Sequence, residues 1–162
     1  MITYLVRHGV AEPDTGEGDF SRALTADGAR KMQGIVSGLR RLGIRPAAIW
    51  TSPLRRTRET AELLASGLGC ASPQLCDWLA PGGEPDALSG LGADLPDTLM
   101  LVGHQPDLGR LASVLLTGTP DHPCLPFKKG AVACIRSDRA YGQDAHLEWF
   151  LTPAQLRLIG RH

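Results

Sequence analysis

The chain has 162 residues, enough for one domain, spanning 1–162, with a substantial buried core. Hydrophobic residues make up 43% of it, and 17 basic residues balance 17 acidic ones. No global field therefore draws it to nucleic acid or a membrane surface, and any positive site must be local. No apolar run approaches the length of a membrane span, and the opening MITYLVRHG has no basic leader, so the expected compartment is the cytoplasm with reduced thiols. The four cysteines, Cys70, Cys76, Cys124 and Cys134, form no C-x-x-C pair, and their separations do not suggest a zinc site.

Residues 2–6, ITYLV, are β-branched and aromatic without charge and predict a strand buried on both faces. The acid-rich loop AEPDTGEGDFSR follows and reads as exposed. Thr25 is then placed to cap a helix whose apolar face is Met32, Ile35, Val36, Leu39 and Leu42, with Gly43 at its stop. AAIWT at 47–51 predicts a second strand. Ser52 and Pro53 predict a helix start, a capping hydroxyl followed by proline at the first helical position, with Leu54, Thr57, Ala61, Leu64 and Leu68 on one face. Gly, Pro and Asp crowd residues 70–97, with a short helix expected near 84–91. TLMLVGH at 98–104 predicts a third strand, and Leu108, Leu111, Ala112 and Leu115 the face of the next helix. AVACIRS at 131–137, with Cys134 as a small core residue, and HLEWFLT at 146–152 read as a hairpin of edge strands. PAQLRLI reads as a short terminal helix.

Strand and helix alternate three times, which argues for an α/β domain with a mainly parallel sheet. Ligands of such sheets bind beyond the carboxyl ends of the strands. Those ends are Arg7-His8-Gly9, Ser52-Pro53-Leu54-Arg55-Arg56 and Gly103-His104-Gln105-Pro106. Parallel strands bring all three to one edge, where two histidines, at least two arginines and two helix amino termini suit a dianionic phosphate.

These segments resemble the histidine phosphatase superfamily, which includes the phosphoglycerate mutases. LVRHG resembles its defining motif, SPLRRTRET its Ser-Pro-Leu-x-Arg-Ala-x-Gln-Thr pattern, and LVGHQP its second histidine motif. Counting from Ser52 places the family arginine at Arg56 and leaves Arg55 at the variable position. Thr57 and Glu59 depart mildly from the pattern's alanine and glutamine. SRALTADG, GAVACI and WFLTPAQL are similar to the short bacterial phosphohistidine phosphatases of the SixA type, so the resemblance spans nearly the whole chain. It implies a phosphoglycerate mutase-like three-layer sandwich, with helices on both faces of the sheet and an antiparallel edge.

The resemblance further implies that His8 attacks phosphorus and becomes a phosphohistidine, which water then hydrolyses. Arg7, Arg56 and His104 would hold the phosphoryl oxygens, and Arg22 of the SRALT segment is a further candidate for the same phosphate. His8 must be neutral to attack, and nearby Arg7 and Arg56 would keep its pKa low. No metal or other cofactor is expected, because the arginines supply the charge. Many relatives carry a glutamate between the middle motif and the second histidine. Here residues 61–102 form a short segment whose candidate acids, Asp77 and Glu84, sit in no matching motif. Little chain is left for a cap, which suits a phosphate carried on a protein.

The leading expectation is thus a phosphatase acting on protein phosphohistidine. A small-molecule phosphomonoesterase is the alternative within the superfamily, ahead of a mutase. A non-catalytic phosphoprotein-binding module is the alternative outside enzymes, and histidine-based zinc binding is a weaker fourth reading.

Overall fold

The computed structural model describes residues 1–16, 18–84, 95–121, 125–138 and 144–161. Most of the helix expected near 84–91, and Cys124, lie outside these residues. The strands are β1 (Ile2–Arg7), β2 (Ala48–Thr51), β3 (Gln74–Leu75), β4 (Thr98–Gly103), β5 (Val132–Arg136) and β6 (His146–Leu151). The helices are α1 (Ala26–Arg41), α2 (Arg55–Leu68), α3 (Asp107–Thr117) and α4 (Pro153–Ile159), with 3-10 turns at Asp19–Ser21 and Asp77–Leu79.

One sheet runs in the order β3-β2-β4-β1-β5-β6. The first four strands are parallel, while β5 and β6 are antiparallel and form the expected edge hairpin. Alternate residues of the central strands face opposite ways, and each face has its own core. Tyr4, Val6, Met100 and Val102 pack with Met32, Ile35 and Leu39 of α1, Leu64 of α2 and Leu156 of α4. Leu5, Leu99 and Leu101 pack with Leu108, Leu111 and Leu115 of α3 on the other side. Three layers result. Each fully buried Leu, Ile or Met contributes about 1.5–3 kcal/mol by leaving water, so the sheet centre is the best-anchored part of the fold.

Local signals explain most boundaries. Thr25 caps α1 by accepting from Gly28 N, and Thr152 caps α4 in a full capping box with Gln155. β3 was not expected: its two residues are exposed and carry no alternation, and it exists only by pairing with Trp50 and Thr51. The start of α2 also differs from expectation. Its first helical residue is Arg55, the cap position is Leu54, and no side chain caps it. The Ser52 hydroxyl accepts from Leu54 N at 3.3 Å, just ahead of the helix, and also meets a distant partner.

Candidate active site

Register sets the geometry of the site. Arg7 lies opposite Gly103 and Thr51 opposite Val102, so β1, β2 and β4 end level with one another. The ladder continues one residue further, with His8 N donating to Gly103 O at 3.1 Å and Ser52 N donating to Val102 O at 3.1 Å. His8, Ser52 and His104 therefore emerge side by side, all three buried. Gly9 is needed here, because a Cβ on it would stand 2.8 Å from Met32 Cγ. Its amide donates to Thr60 Oγ1 of α2 at 3.1 Å, fixing the turn after His8.

The two imidazoles face each other with ring centroids 5.2 Å apart. Their tautomers follow from their partners. His8 Nδ1 lies 2.7 Å from Gly9 O, a pure acceptor, so Nδ1 carries the proton and the Nε2 lone pair is left unprotonated. His104 Nδ1 lies 3.3 Å from the Arg56 guanidinium, a pure donor, so this ring carries its proton on Nε2 and donates to Ser52 Oγ at 2.8 Å. Burial pushes His8 down from 6.5 to about 4, against the Gly9 hydrogen bond and with help from Arg56, Arg7 and Lys129. His104 is pushed down to about 3 by burial, then by His8 and Arg56. The arginines act in the expected direction, but desolvation is the larger cause.

A direct check follows. In imidazole nitrogen NMR at pH 6, His8 should be neutral and protonated at Nδ1, and His104 neutral and protonated at Nε2. Above its pKa an imidazole is neutral, so neither should titrate until the pH nears 4 and 3. Unfolded histidine titrates at about 6.5, so the unfolded state takes up protons first and native stability should fall as pH drops from about 6.5 toward 4. A His8 midpoint near 6.5 in the folded chain would contradict this electrostatic picture.

Both arginines are tied to the protein. Arg7 donates through Nη1 to Phe127 O at 2.7 Å. Arg56, with its side chain only 4% exposed, donates through Nη1 to Asp19 O and through Nη2 to Asp19 Oδ2, each at 2.8 Å. Among the described residues, the Nε–H groups of Arg7 and Arg56 are buried without an acceptor. Buried donors left without an acceptor are unusual and call for a reason. An oxyanion entering the site supplies acceptors and charge together.

Arg55 points elsewhere: its side chain is 55% exposed and pairs with Glu59 at 2.8 Å. The Glu59 departure from the motif has a use, because its other oxygen accepts from Leu24 N at 2.7 Å and ties the SRALT segment to α2. Thr57, the other departure, is buried and bonds the carbonyls of Leu54 and Ser52. Arg22 does not contact either histidine. It donates to Asp19 Oδ1 from Nε at 2.8 Å and from Nη2 at 2.5 Å, and to Glu12 O at 3.2 Å, so one carboxylate separates it from Arg56. Asp77 is exposed on its 3-10 turn. Glu84 lines a cleft shared with His104, Trp78, Leu79, Asp107 and Leu108.

Asp19, Ser52 and the Phe127 carbonyl are the participants that sequence reasoning missed. For Asp19 a signal existed. Residues three apart eclipse on a 3-10 turn, so an acid three positions before Arg22 was placed to pair with it.

The central strands thus end in two buried histidines beside two anchored arginines, a set of groups suited to an oxyanion. A profile of the histidine phosphatase superfamily (branch 1) matches residues 3–80. An uncharacterised protein of Picosynechococcus sp. (strain PCC 7002) is 39% identical over 152 residues, covering 86% of this chain and 87% of that protein. The chain belongs to the histidine phosphatase superfamily. Its fold is similar to that of the protein histidine phosphatase SixA, solved with tungstate, at a TM-score of 0.83 and 24% identity over 96% of this chain and 99% of that one. A mycobacterial glucosyl-3-phosphoglycerate phosphatase gives 0.67 and 18% identity over 91% and 96%.

Proposed function

We propose that this chain is a phosphatase that works through a phosphohistidine on His8 and takes its phosphoryl group from phosphohistidine on a protein. The observation that carries the reading is the Gly9 carbonyl on His8 Nδ1, which leaves the Nε2 lone pair of a neutral ring beside Arg56 and His104. Nε2 attacks phosphorus, the bond to the leaving nitrogen breaks, and that imidazole departs with the proton it carries. Water then attacks the same phosphorus, the bond to Nε2 breaks, and inorganic phosphate leaves. Arg7 and Arg56 hold the phosphoryl oxygens through both steps, and His104 joins them once the charge of the bound dianion draws a proton onto its Nδ1, so the protein's own cations offset the transferred charge.

The protein substrate is favoured by the shortness of the 61–102 segment and by the likeness in fold to a protein histidine phosphatase. Chemistry adds a second reason. A departing alkoxide needs a positioned acid, worth roughly 10²–10⁴-fold, whereas a protonated phosphohistidine ring leaves as neutral imidazole, since histidine titrates at about 6.5. Turnover of a phosphohistidine protein should therefore exceed that of alkyl phosphates by about 10²-fold or more, and Asp77→Ala and Glu84→Ala should leave it nearly unchanged. Comparing both substrates in wild type and the two variants tests this. The alternative, a small-molecule phosphatase with Glu84 as acid, draws on the cleft Glu84 shares with His104. Efficient sugar phosphate hydrolysis lost in Glu84→Ala would establish that alternative.

A further inference from the structure

Asp19 lies in a loop that sequence alone reads as solvent, yet it makes the most extensive set of ionic contacts at the site. Its Oδ2 accepts from Arg56 Nη2, its Oδ1 accepts from Arg22, and its backbone oxygen accepts from Arg56 Nη1. Arg56 is thereby gripped at both terminal nitrogens by one residue, while the same Nη2 reaches His104 at 3.3 Å. A guanidinium buried to this degree is costly without a counter-charge, and rotation about its long stem would otherwise be easy. Asp19 offsets one of the two charges of Arg22 and Arg56, and with Arg7 and Lys129 the neighbourhood stays net positive, as a dianion requires.

From this we infer that Asp19 is the positioning residue of the site: it fixes the Arg56 guanidinium against His104 and joins Arg22 to the same ionic unit, without itself reaching the phosphoryl group. The inference rests on the phosphatase reading above. Proton donation is a poor alternative role. Hydrogen bonds from Arg56 and Arg22 hold the Asp19 carboxyl below the usual carboxylate range, so it is ionised at neutral pH. Occlusion of the site is also a poor fit, since the Asp19 side chain is 46% exposed and leaves the Arg56 Nε edge uncommitted.

Positioning has a signature that separates it from the other roles. A fixed carboxylate near a bound dianion opposes binding by like-charge repulsion, whereas misplacing a transition-state group by about 1 Å can cost about 10²-fold in rate. In Asp19→Asn and Asp19→Ala, kcat on an activated aryl phosphate should fall by about 10²-fold while inhibition by inorganic phosphate becomes no weaker. Asp19→Glu should recover part of the loss. Arg22→Ala should lower kcat less, and should add little when combined with Asp19→Asn because both act through one bridge.

The experiment is steady-state kinetics with phosphate inhibition on these variants, alongside Tm. Unchanged or faster turnover in Asp19→Asn, with tighter phosphate inhibition, would mark the carboxylate as a mere competitor and overturn the inference. Joint loss of turnover, phosphate affinity and Tm in both Asn and Glu variants would reduce Asp19 to a structural residue and overturn it as well. A wild-type chain that neither turns over nor binds phosphate would remove the phosphatase reading and this inference together. Active wild type with an equally active Asp19→Asn would remove this inference alone.

Discussion

His8→Ala is expected to abolish turnover and to leave no covalent phosphoryl label on the chain. In the wild type, brief incubation with labelled substrate should give a label that is acid-labile and alkali-stable, the behaviour of a phosphoramidate. The expectation rests on one atom. His8 Nε2 keeps its lone pair because Gly9 O holds the proton on Nδ1, and burial keeps the ring neutral down to about pH 4. Alanine removes that atom but none of the strand contacts, since the backbone of residue 8 still donates to Gly103 O. Loss of a nucleophile can cost on the order of 10⁶-fold, well beyond the effect of a packing defect. Mass spectrometry of the quenched enzyme locates the label, and a label persisting at full stoichiometry in the alanine variant sinks the assignment of His8.

The second large effect is expected to separate two neighbours. Arg56→Ala should lower kcat/KM by about 10³-fold or more, as arginines that stabilise transferring phosphoryl groups do, while Arg55→Ala stays within about fivefold, the worth of a surface ion pair of up to about 1 kcal/mol. Successive helical residues point about 100° apart, so the pair cannot share a role. The structure places Arg56 against Asp19 and His104 in the interior and Arg55 against Glu59 in solvent. Kinetics of the two single variants, with Tm measured on each, settle it. Equal losses, or a larger loss in Arg55→Ala, would mean that α2 presents a different face to the site.

The parts of this molecule that the sequence displays best are those fixed by burial. ITYLV, AAIWT and TLMLVGH have to be buried strands, and parallel pairing then forces Arg7-His8, Ser52 and His104 onto one edge. What escaped was decided by partners distant in sequence. Ser52 carries a genuine capping signal, but its hydroxyl receives the Nε2–H of His104, 52 residues away, and α2 begins later and uncapped. The spacing of Asp19 to Arg22 can be read locally, but nothing in the loop names Arg56, 37 residues on, as a second partner. The two-residue strand β3 has no periodicity to read, because it is defined only by what it pairs with. In each case the deciding partner lies far away in sequence, and local contacts such as Leu54 N to Ser52 Oγ and Arg22 to Asp19 persist beside it.

The amides of His8 and Ser52 are hydrogen-bonded to Gly103 and Val102 of β4, an innermost strand. Local fluctuations release amides at a free-energy cost that rises from fraying loops to the cooperative centre of a domain. By this attachment, the roots of the histidine constellation belong to the last cooperative unit to open, whereas the tethers from residues 19–24 belong to a surface segment. The histidines should thus hang from slowly exchanging backbone, and the acid that trims the local charge from a faster one. Precision and adjustability would then fall to different kinetic classes of the same chain.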